Sequence, residues 1–232
     1  MKSNRAHIAL LALTLSVPAW GGSTVTSYSG NIGFINTPPS SLVPGAIENN
    51  LKALLFMEDS DLSFASAITV DATAPGVYKS KASLTPGSIA AGTLVSGAYI
   101  HADPVTSGTT FTGSVTFNTD ILGLIVTTND LFASDSLLGV PGTNYGSSTT
   151  PRGLELSPTQ DYFSISANLR TLTFTLKTWG YTDDIRILTA GTFAGTTGAQ
   201  SPVPEPGTLA LIGLGMSLIA VGARRRRRSG AR

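Results

Sequence analysis

Cysteine is absent from this chain of 232 residues. The protein therefore has no disulfide bonds, no thiolate ligands for a metal and no cysteine nucleophile. A folded body must draw its stability from burial of a core. Aromatic residues make up 7% of the chain and charged residues 12%, so most aromatic side chains are expected in that core. The length leaves room for one ordinary domain with targeting segments at its ends.

Histidine is also scarce. His7 lies close to the N-terminus, which leaves His101 for the rest of the chain. A Ser/His/Asp triad would have to use His101, and no Gly-x-Ser-x-Gly nucleophile turn is present. In a zinc site His101 would be the single nitrogen ligand. These scarcities predict that His101 is structural and that the protein is not an enzyme, with no catalytic and no metal-binding residues.

Positive charge is concentrated at the two ends. The net charge of +1 includes Lys2 and Arg5 near the start, and Arg224–Arg228 and Arg232 near the end. Between Gly22 and Gln200, seven basic residues stand against 13 acidic residues, a balance of −6. Binding to nucleic-acid phosphates needs a basic face, so a nucleic-acid partner is disfavoured.

The N-terminal segment has the features of a signal peptide. Lys2 and Arg5 form a basic region, Ile8–Val17 is apolar, and Ala19-Trp20-Gly21 is a small-x-small cleavage site. Val17-Pro18-Ala19 is a second possible cleavage site. Ten apolar residues are too few to cross a bilayer. We therefore predict a signal peptide over residues 1–21 that places the body outside the cytoplasm.

The C-terminal segment combines a stiff motif, an apolar run and a basic block. Two prolines flank one carboxylate, which keeps this stretch extended and stops a helix from propagating through it. Thr208–Ala223 would span about 24 Å as a helix, slightly less than the ~30 Å hydrocarbon core, and arginine stems can extend it. The arginines would stay on the cytoplasmic side. The motif and basic residues are Val203, Pro204, Glu205, Pro206, Arg224, Arg225, Arg226, Arg227 and Arg228.

This order of motif, apolar helix and arginine cluster resembles the PEP-CTERM sorting signal of Gram-negative bacteria. The resemblance implies recognition by exosortase, a membrane enzyme thought to cut near the Pro-Glu-Pro motif. It implies an inner-membrane intermediate held by the C-terminal helix, followed by release to the cell surface or extracellular matrix. It further implies a structural or adhesive role, for which exopolysaccharide is a candidate partner.

The intervening body is rich in Thr, Ser and Gly, which suits strands and turns. Period-two alternation in Thr109–Asn118 and Thr171–Thr178 predicts strands that are buried on one face. A short helix is predicted over Asp130–Leu138, with Asn129 as its cap and Gly139 as its stop. The residues expected in the core of these strands are Phe111, Val115, Phe117, Leu172, Phe174 and Leu176.

About nine or ten short strands predict a mainly β fold, an antiparallel β-sandwich of jelly-roll-like form. A signal peptide and a C-terminal transmembrane helix are expected to flank it. The predicted organisation is signal peptide 1–21, body 22–190, flexible linker 191–202 and sorting signal 203–228.

The body itself resembles a domain found in some PEP-CTERM proteins, for which no activity is assigned. Five segments carry this second resemblance. They are Ser96–Asp103, Gly113–Phe117, Ser134–Gly139, Arg152–Glu155 and Asp184–Ile187.

Acidic residues leave calcium binding open, because calcium takes carboxylate oxygens. No group has the spacing of an EF-hand loop, so no cofactor is predicted, with calcium kept as an alternative. The candidate groups are Glu58 with Asp59 and Asp61, Asp130 with Asp135, and Asp183 with Asp184.

Arg152, Glu155 and Arg186 have two interpretations. They form a structural set of ion pairs, or an arginine and a carboxylate beside Tyr145 or Trp179 hold a sugar. The second interpretation makes the body a carbohydrate-binding module. A third hypothesis, a secreted hydrolase, requires two carboxylates that face each other across a cleft.

Overall fold

The computed structural model describes residues 23–191. The predicted signal peptide, nearly all of the linker and the sorting signal lie outside the described residues. Within residues 23–191, no helix is long and apolar enough to cross a membrane.

The described chain forms thirteen strands, one α-helix and one short 3-10 helix. The strands in order are β1 Val25–Gly30, β2 Ile32–Phe34, β3 Ala53–Met57, β4 Leu62–Ser63, β5 Ile68–Val70, β6 Gly76–Tyr78, β7 Gly87–Ile89, β8 Leu94–Ala102, β9 Thr109–Phe117, β10 Ile121–Ile125, β11 Tyr162–Ile165, β12 Thr171–Thr178 and β13 Asp183–Ala190. The helices are the 3-10 turn Lys81–Ser83, between β6 and β7, and α1 Thr128–Leu138, between β10 and β11.

Two sheets carry most of the strands. The first has the order β1-β9-β12-β11-β6 and is antiparallel throughout. The second has the order β10-β13-β8-β3-β2, with β4 also paired to β8. Its pairings are antiparallel except for β2 with β3, which run parallel. β5 and β7 form a separate two-stranded sheet.

The first core lies between the two main sheets. Phe111, Val115 and Phe174 from the first sheet join Ile100 and Ile187 from the second in one buried cluster. This shared core defines a two-layer sandwich. All six residues predicted to lie in the core are buried, so the alternation predicted both the strands and their inward faces correctly.

A second core covers the other face of the second sheet. Tyr99 of β8 and Leu188 of β13 pack there with Leu131 and Leu138 of α1. Both central strands of this sheet are therefore buried on both faces, which explains why nearly every residue of β8 and β13 is inaccessible. Among the polar residues on this outer face, Arg186 is covered by helix α1, to which it donates hydrogen bonds.

The structure confirms a mainly β, largely antiparallel fold, and corrects several details. Three short strands, β2, β4 and β7, were not predicted, because two or three residues carry too little periodicity to stand out. The helix begins at Thr128 rather than Asp130. Thr127 is the N-cap in place of Asn129, and its side chain accepts a hydrogen bond from the Asp130 backbone amide. The jelly-roll connectivity stays a prediction.

Candidate functional site

The outer face of the second sheet carries a row of polar side chains. In the register of β8 and β13, Tyr99 lies opposite Arg186 and His101 lies opposite Asp184. Because successive residues of a strand point to opposite faces, these four side chains share one face. All four are at most 1% exposed, so the row is enclosed beneath the second core.

Arg186 is the centre of this row. Its guanidinium forms a two-pronged ion pair with Glu58, with both nitrogen-to-oxygen distances 2.8 Å. It also donates to the Ser134 hydroxyl at 2.5 Å, to the Leu131 carbonyl at 3.2 Å and to Asp135 at 3.1 Å. Helix α1 therefore supplies three acceptors, and the segment after β3 supplies the fourth. Burial lowers the pKa of Arg186, but the charge and hydrogen bonds of Glu58, together with Tyr99 and Asp135, outweigh burial and raise the net pKa.

Asp135 links Arg186 to a second buried arginine. The Arg152 guanidinium donates to Asp135 at 2.6 Å and to the Tyr99 hydroxyl at 3.1 Å. That hydroxyl in turn donates to Asp184 at 2.8 Å. Burial raises the pKa of Tyr99 well above its usual value, so the phenol stays protonated and keeps this donor.

We call the set Glu58, Tyr99, Asp135, Arg152, Asp184 and Arg186 the buried network. Two guanidinium groups face the carboxylates of Glu58 and Asp135, and the third carboxylate, Asp184, accepts from Tyr99 and lies 2.8 Å from His101 Nδ1. Gly97 makes room for it, since a Cβ on this residue would lie 3.3 Å from both Cβ and Oε2 of Glu58. The arrangement is that of a structural ion-pair set, in which Arg186 and Glu58 are fully buried and the Asp135 side chain is 17% exposed.

His101 contacts this network through Asp184. Its Nδ1 lies 2.8 Å from an Asp184 oxygen, and its Nε2 lies 3.9 Å from Asp103. Such an Asp–His pair is two-thirds of a hydrolytic triad. However, Nε2 is buried with no hydrogen-bond partner in the part of the chain that the structure describes. No described serine or threonine hydroxyl is therefore placed to be activated by His101.

Four of the five segments behind the second resemblance meet in the buried network. Ser96–Asp103 supplies Tyr99, and Ser134–Gly139 supplies Asp135. Arg152–Glu155 supplies Arg152, and Asp184–Ile187 supplies both Asp184 and Arg186. Sequence reasoning missed Glu58 as the partner of Arg186, because 128 positions separate them.

A second charge cluster lies beside the turn between β12 and β13. One carboxylate oxygen from each of Glu155, Asp161 and Asp183 lies within 4.8 Å of the other two. Glu155 is exposed, whereas Asp161 is fully buried and Asp183 is 2% exposed. None of the three forms an ion pair with a lysine or arginine of the described chain. We call this set the acidic cluster.

Burial and mutual repulsion disfavour ionisation in the acidic cluster. Burial, followed by the charges of Asp161, Glu155 and Asp184, raises the pKa of Asp183 to about 9. Burial also raises the pKa of Asp161, and it raises the pKa of Glu155 together with the Asp161 charge. The charge of Lys81 lowers the pKa of Glu155, but this effect is weaker than that of burial or of the Asp161 charge.

The three predicted calcium groups are each separated or already occupied. Glu58 is bound to Arg186, and Asp135 is bound to both arginines. Asp183 and Asp184 are adjacent on a strand and point to opposite faces, so they do not share an ion. Of these residues, only Asp183 belongs to a cluster with suitable geometry, and its companions are Glu155 and Asp161.

The predicted set of Arg152, Glu155 and Arg186 is wrong in one member. The two arginines belong to the buried network, and Glu155 belongs to the acidic cluster. Tyr145 is 5% exposed and donates to Glu58 at 2.7 Å, so it is not free to stack on a sugar. Trp179 is 57% exposed in the turn after β12 and is the better placed of the two aromatic candidates.

Comparison with known proteins identifies the C-terminal segment. The family model of the PEP-CTERM protein-sorting motif matches residues 202–228. The chain thus carries this sorting signal, which supports export and processing by exosortase, as the sequence predicted. No curated protein and no solved structure matches the chain significantly.

Proposed function

We propose that the chain is an exosortase-sorted protein of the cell surface or extracellular matrix, whose β-sandwich body has a structural or adhesive role and is not an enzyme. The observation that carries the proposal is the sorting motif at residues 202–228. Association with exopolysaccharide is part of the proposal, since it fits a matrix location.

The chemistry of the body supports a role without turnover. In the buried network, Glu58 is fully buried in an ion pair with Arg186, and Asp135, with its side chain 17% exposed, is held by two arginines. A hydrolase needs such groups at a surface that substrate can reach. In the acidic cluster Glu155 is exposed, but Asp161 and Asp183 are buried, so a sugar ring has no room between two of the carboxylates. We therefore rank the hydrolase hypothesis last.

The C-terminal segment combines a recognition motif with a membrane anchor, and the two have different roles. We infer that Pro204, Glu205 and Pro206 are recognised by the membrane enzyme in an extended conformation that the prolines favour. The apolar run of Leu209–Ala223 sets the depth in the membrane, and the arginines that follow stop transfer. Changes to the motif should therefore affect tail removal, whereas changes to the anchor should affect membrane retention.

Two variants test this division in a host that contains exosortase. P204A/E205A should leave membrane partitioning unchanged, because the changes lie outside the apolar run, but should block tail removal. Replacing Arg224–Arg228 with serine should instead weaken membrane retention. The measurement is mass spectrometry of the mature C-terminus, with immunoblots of membrane and released fractions. Glu48→Ala is the matched control, since it removes an exposed carboxylate of the body.

Normal tail removal in P204A/E205A would refute recognition of the motif. The segment would then act only as an anchor, and the proposed sorting would lose its basis.

A carbohydrate-binding role is the second candidate, favoured by two exposed aromatics. Trp179 and Tyr181 are 57% and 56% exposed in the turn between β12 and β13. Lys177 places its ammonium 4.9 Å from the centre of the Trp179 ring, which orients that ring by a cation–π contact. Exposed, oriented aromatic rings suit stacking on sugars.

Binding to exopolysaccharide of the producing strain tests this candidate. W179A and Y181A should each weaken binding about tenfold, which corresponds to 1.4 kcal/mol. Tyr28→Ala, at another exposed aromatic, should bind as the unchanged protein does. Equal binding by all three variants would remove the candidate.

A further inference from the structure

The acidic cluster gathers its three carboxylates from both layers of the sandwich. Glu155 lies in the loop between α1 and β11, Asp161 directly precedes β11 of the first sheet, and Asp183 begins β13 of the second. Asp183 shares its strand face with Ile185 and Ile187, which point into the core between the sheets. The cluster therefore joins the two sheets and a loop at one point.

Backbone contacts hold Asp161 in place within this cluster. Its two carboxylate oxygens accept hydrogen bonds from the backbone amides of Lys177 and Glu155, both at 2.7 Å. A carboxylate oxygen has more than one lone pair, so each oxygen retains capacity for another partner. The hydrogen bond from the Glu155 backbone amide to Asp161 also fixes the loop that carries Glu155. The geometry is thus set by the fold.

Asp183 provides the observation that points to a missing partner. The side chain is 2% exposed, and its Oδ2 has no hydrogen-bond donor within residues 23–191. A buried polar atom without a partner costs about 1–3 kcal/mol, and most such atoms in folded proteins are satisfied. Here the unsatisfied carboxylate belongs to a group whose oxygens converge with those of two other carboxyl groups. A cation at the centre would satisfy all three.

The separation of the oxygens suits calcium. Calcium binds oxygen at about 2.3–2.6 Å, so two ligands on opposite sides of one ion lie up to about 5 Å apart. The oxygens of the acidic cluster lie within 4.8 Å of one another. Magnesium binds oxygen at about 2.0–2.1 Å, demands near-octahedral geometry and keeps several of its waters, so a site built from three protein carboxylates suits it less. The exposed Glu155 leaves the site open to solvent for entry of the ion and for water ligands.

We propose that Glu155, Asp161 and Asp183 bind one calcium ion, which ties the loop before β11 to both sheets of the sandwich. Three ionised carboxylates carry three negative charges, and a divalent ion among them reduces the net charge to one negative charge. Water and backbone carbonyls complete the coordination.

Titration of the EDTA-treated protein with CaCl2, followed by calorimetry, tests the proposal. One site is expected, with a dissociation constant on the order of 10⁻⁴–10⁻³ M, as in extracellular modules. D183N and E155Q should weaken binding at least about tenfold, equivalent to 1.4 kcal/mol. MgCl2 should bind more weakly than CaCl2 by a similar factor. Asp120→Asn is the control, since that carboxylate is 51% exposed on its side chain and lies in a surface pair with Arg170.

E155Q keeps the test decisive if D183N does not fold, because Glu155 is exposed and lies in a loop. Near-UV circular dichroism establishes the folded state of each variant. Two results would overturn the proposal: no saturable binding up to about 10 mM CaCl2, where a site of this class would be filled, or undiminished binding by a folded E155Q.

Discussion

The two charge clusters of the body differ in one respect that decides their roles. In the buried network, the guanidinium groups of Arg152 and Arg186 stand against Glu58 and Asp135, and contacts of 2.6–3.1 Å join them. In the acidic cluster, three carboxyl groups converge with no arginine or lysine of residues 23–191 in an ion pair with them. Both clusters lie largely out of water, where an uncompensated charge is costly.

Burial alone therefore does not identify a site. A buried charge set that contains its own counter-charges needs nothing from outside and serves the fold. A buried cluster that contains only carboxyl groups needs a bound proton or a cation to compensate its negative charge. The comparison predicts opposite responses to the same chemical change in the two clusters.

The largest effect is expected when the network loses one partner. Glu58→Ala leaves Arg186 buried beside a single shared carboxylate, and removing one member of a buried pair costs about 3–5 kcal/mol. The free energy of unfolding, measured by urea denaturation, should fall by this amount. The double variant E58L/R186M should lose less than E58A, because it leaves no unpaired charge.

Asp120→Ala is the control for this prediction. It breaks the surface pair with Arg170, in which both side chains are about half exposed. Such pairs contribute about 0–1 kcal/mol. If E58A lowers the free energy of unfolding by no more than D120A does, the network does not stabilise the fold.

A change of Asp to Asn should have opposite signs in the two clusters. In EDTA, D135N removes a charge that two arginines require and should destabilise the protein by about 1–3 kcal/mol. D183N replaces a carboxyl group whose ionisation is disfavoured by burial and by its acidic neighbours, so it should leave stability unchanged or raise it by about 1 kcal/mol. Thermal and urea unfolding measure both variants. Equal destabilisation by the two changes would contradict the distinction.

A smaller effect is expected from crowding the network without changing its charges. Gly97→Ala places a methyl group 3.3 Å from the Glu58 carboxylate, and should cost about 1 kcal/mol as the side chain shifts. Gly33→Ala is the control, since its methyl group would meet only the flexible Lys52 side chain, at 3.4 Å. If the two variants unfold at the same urea concentration, the packing around Glu58 is looser than the contacts indicate.

The sequence predicted the parts of the fold that local periodicity determines. Alternation over Thr109–Asn118 and Thr171–Thr178 identified β9 and β12 and their buried faces, and the sorting tail was identified from its motif. The short strands β2 and β4 were missed, because pairing with neighbouring strands, rather than their own sequence, makes them strands.

The clusters were less predictable, because they depend on contacts between distant segments. Arg186 meets Glu58 only once β13, β8 and the end of β3 are aligned. Glu155 was grouped with Arg152 because the two are close in sequence, although loop residues carry no fixed periodicity. Asp183 and Asp184 were treated as a pair, yet the period of two within a strand already separates them. That signal was available in the sequence.

The most direct test of the distinction between the clusters is a crystal structure of the protein grown with calcium, with anomalous differences used to locate the ion. One peak is expected at about 2.3–2.6 Å from oxygens of Glu155, Asp161 and Asp183, and none among Glu58, Asp135 and Asp184. An empty acidic cluster at a calcium concentration of about 10 mM, or an ion in the buried network, would contradict this expectation.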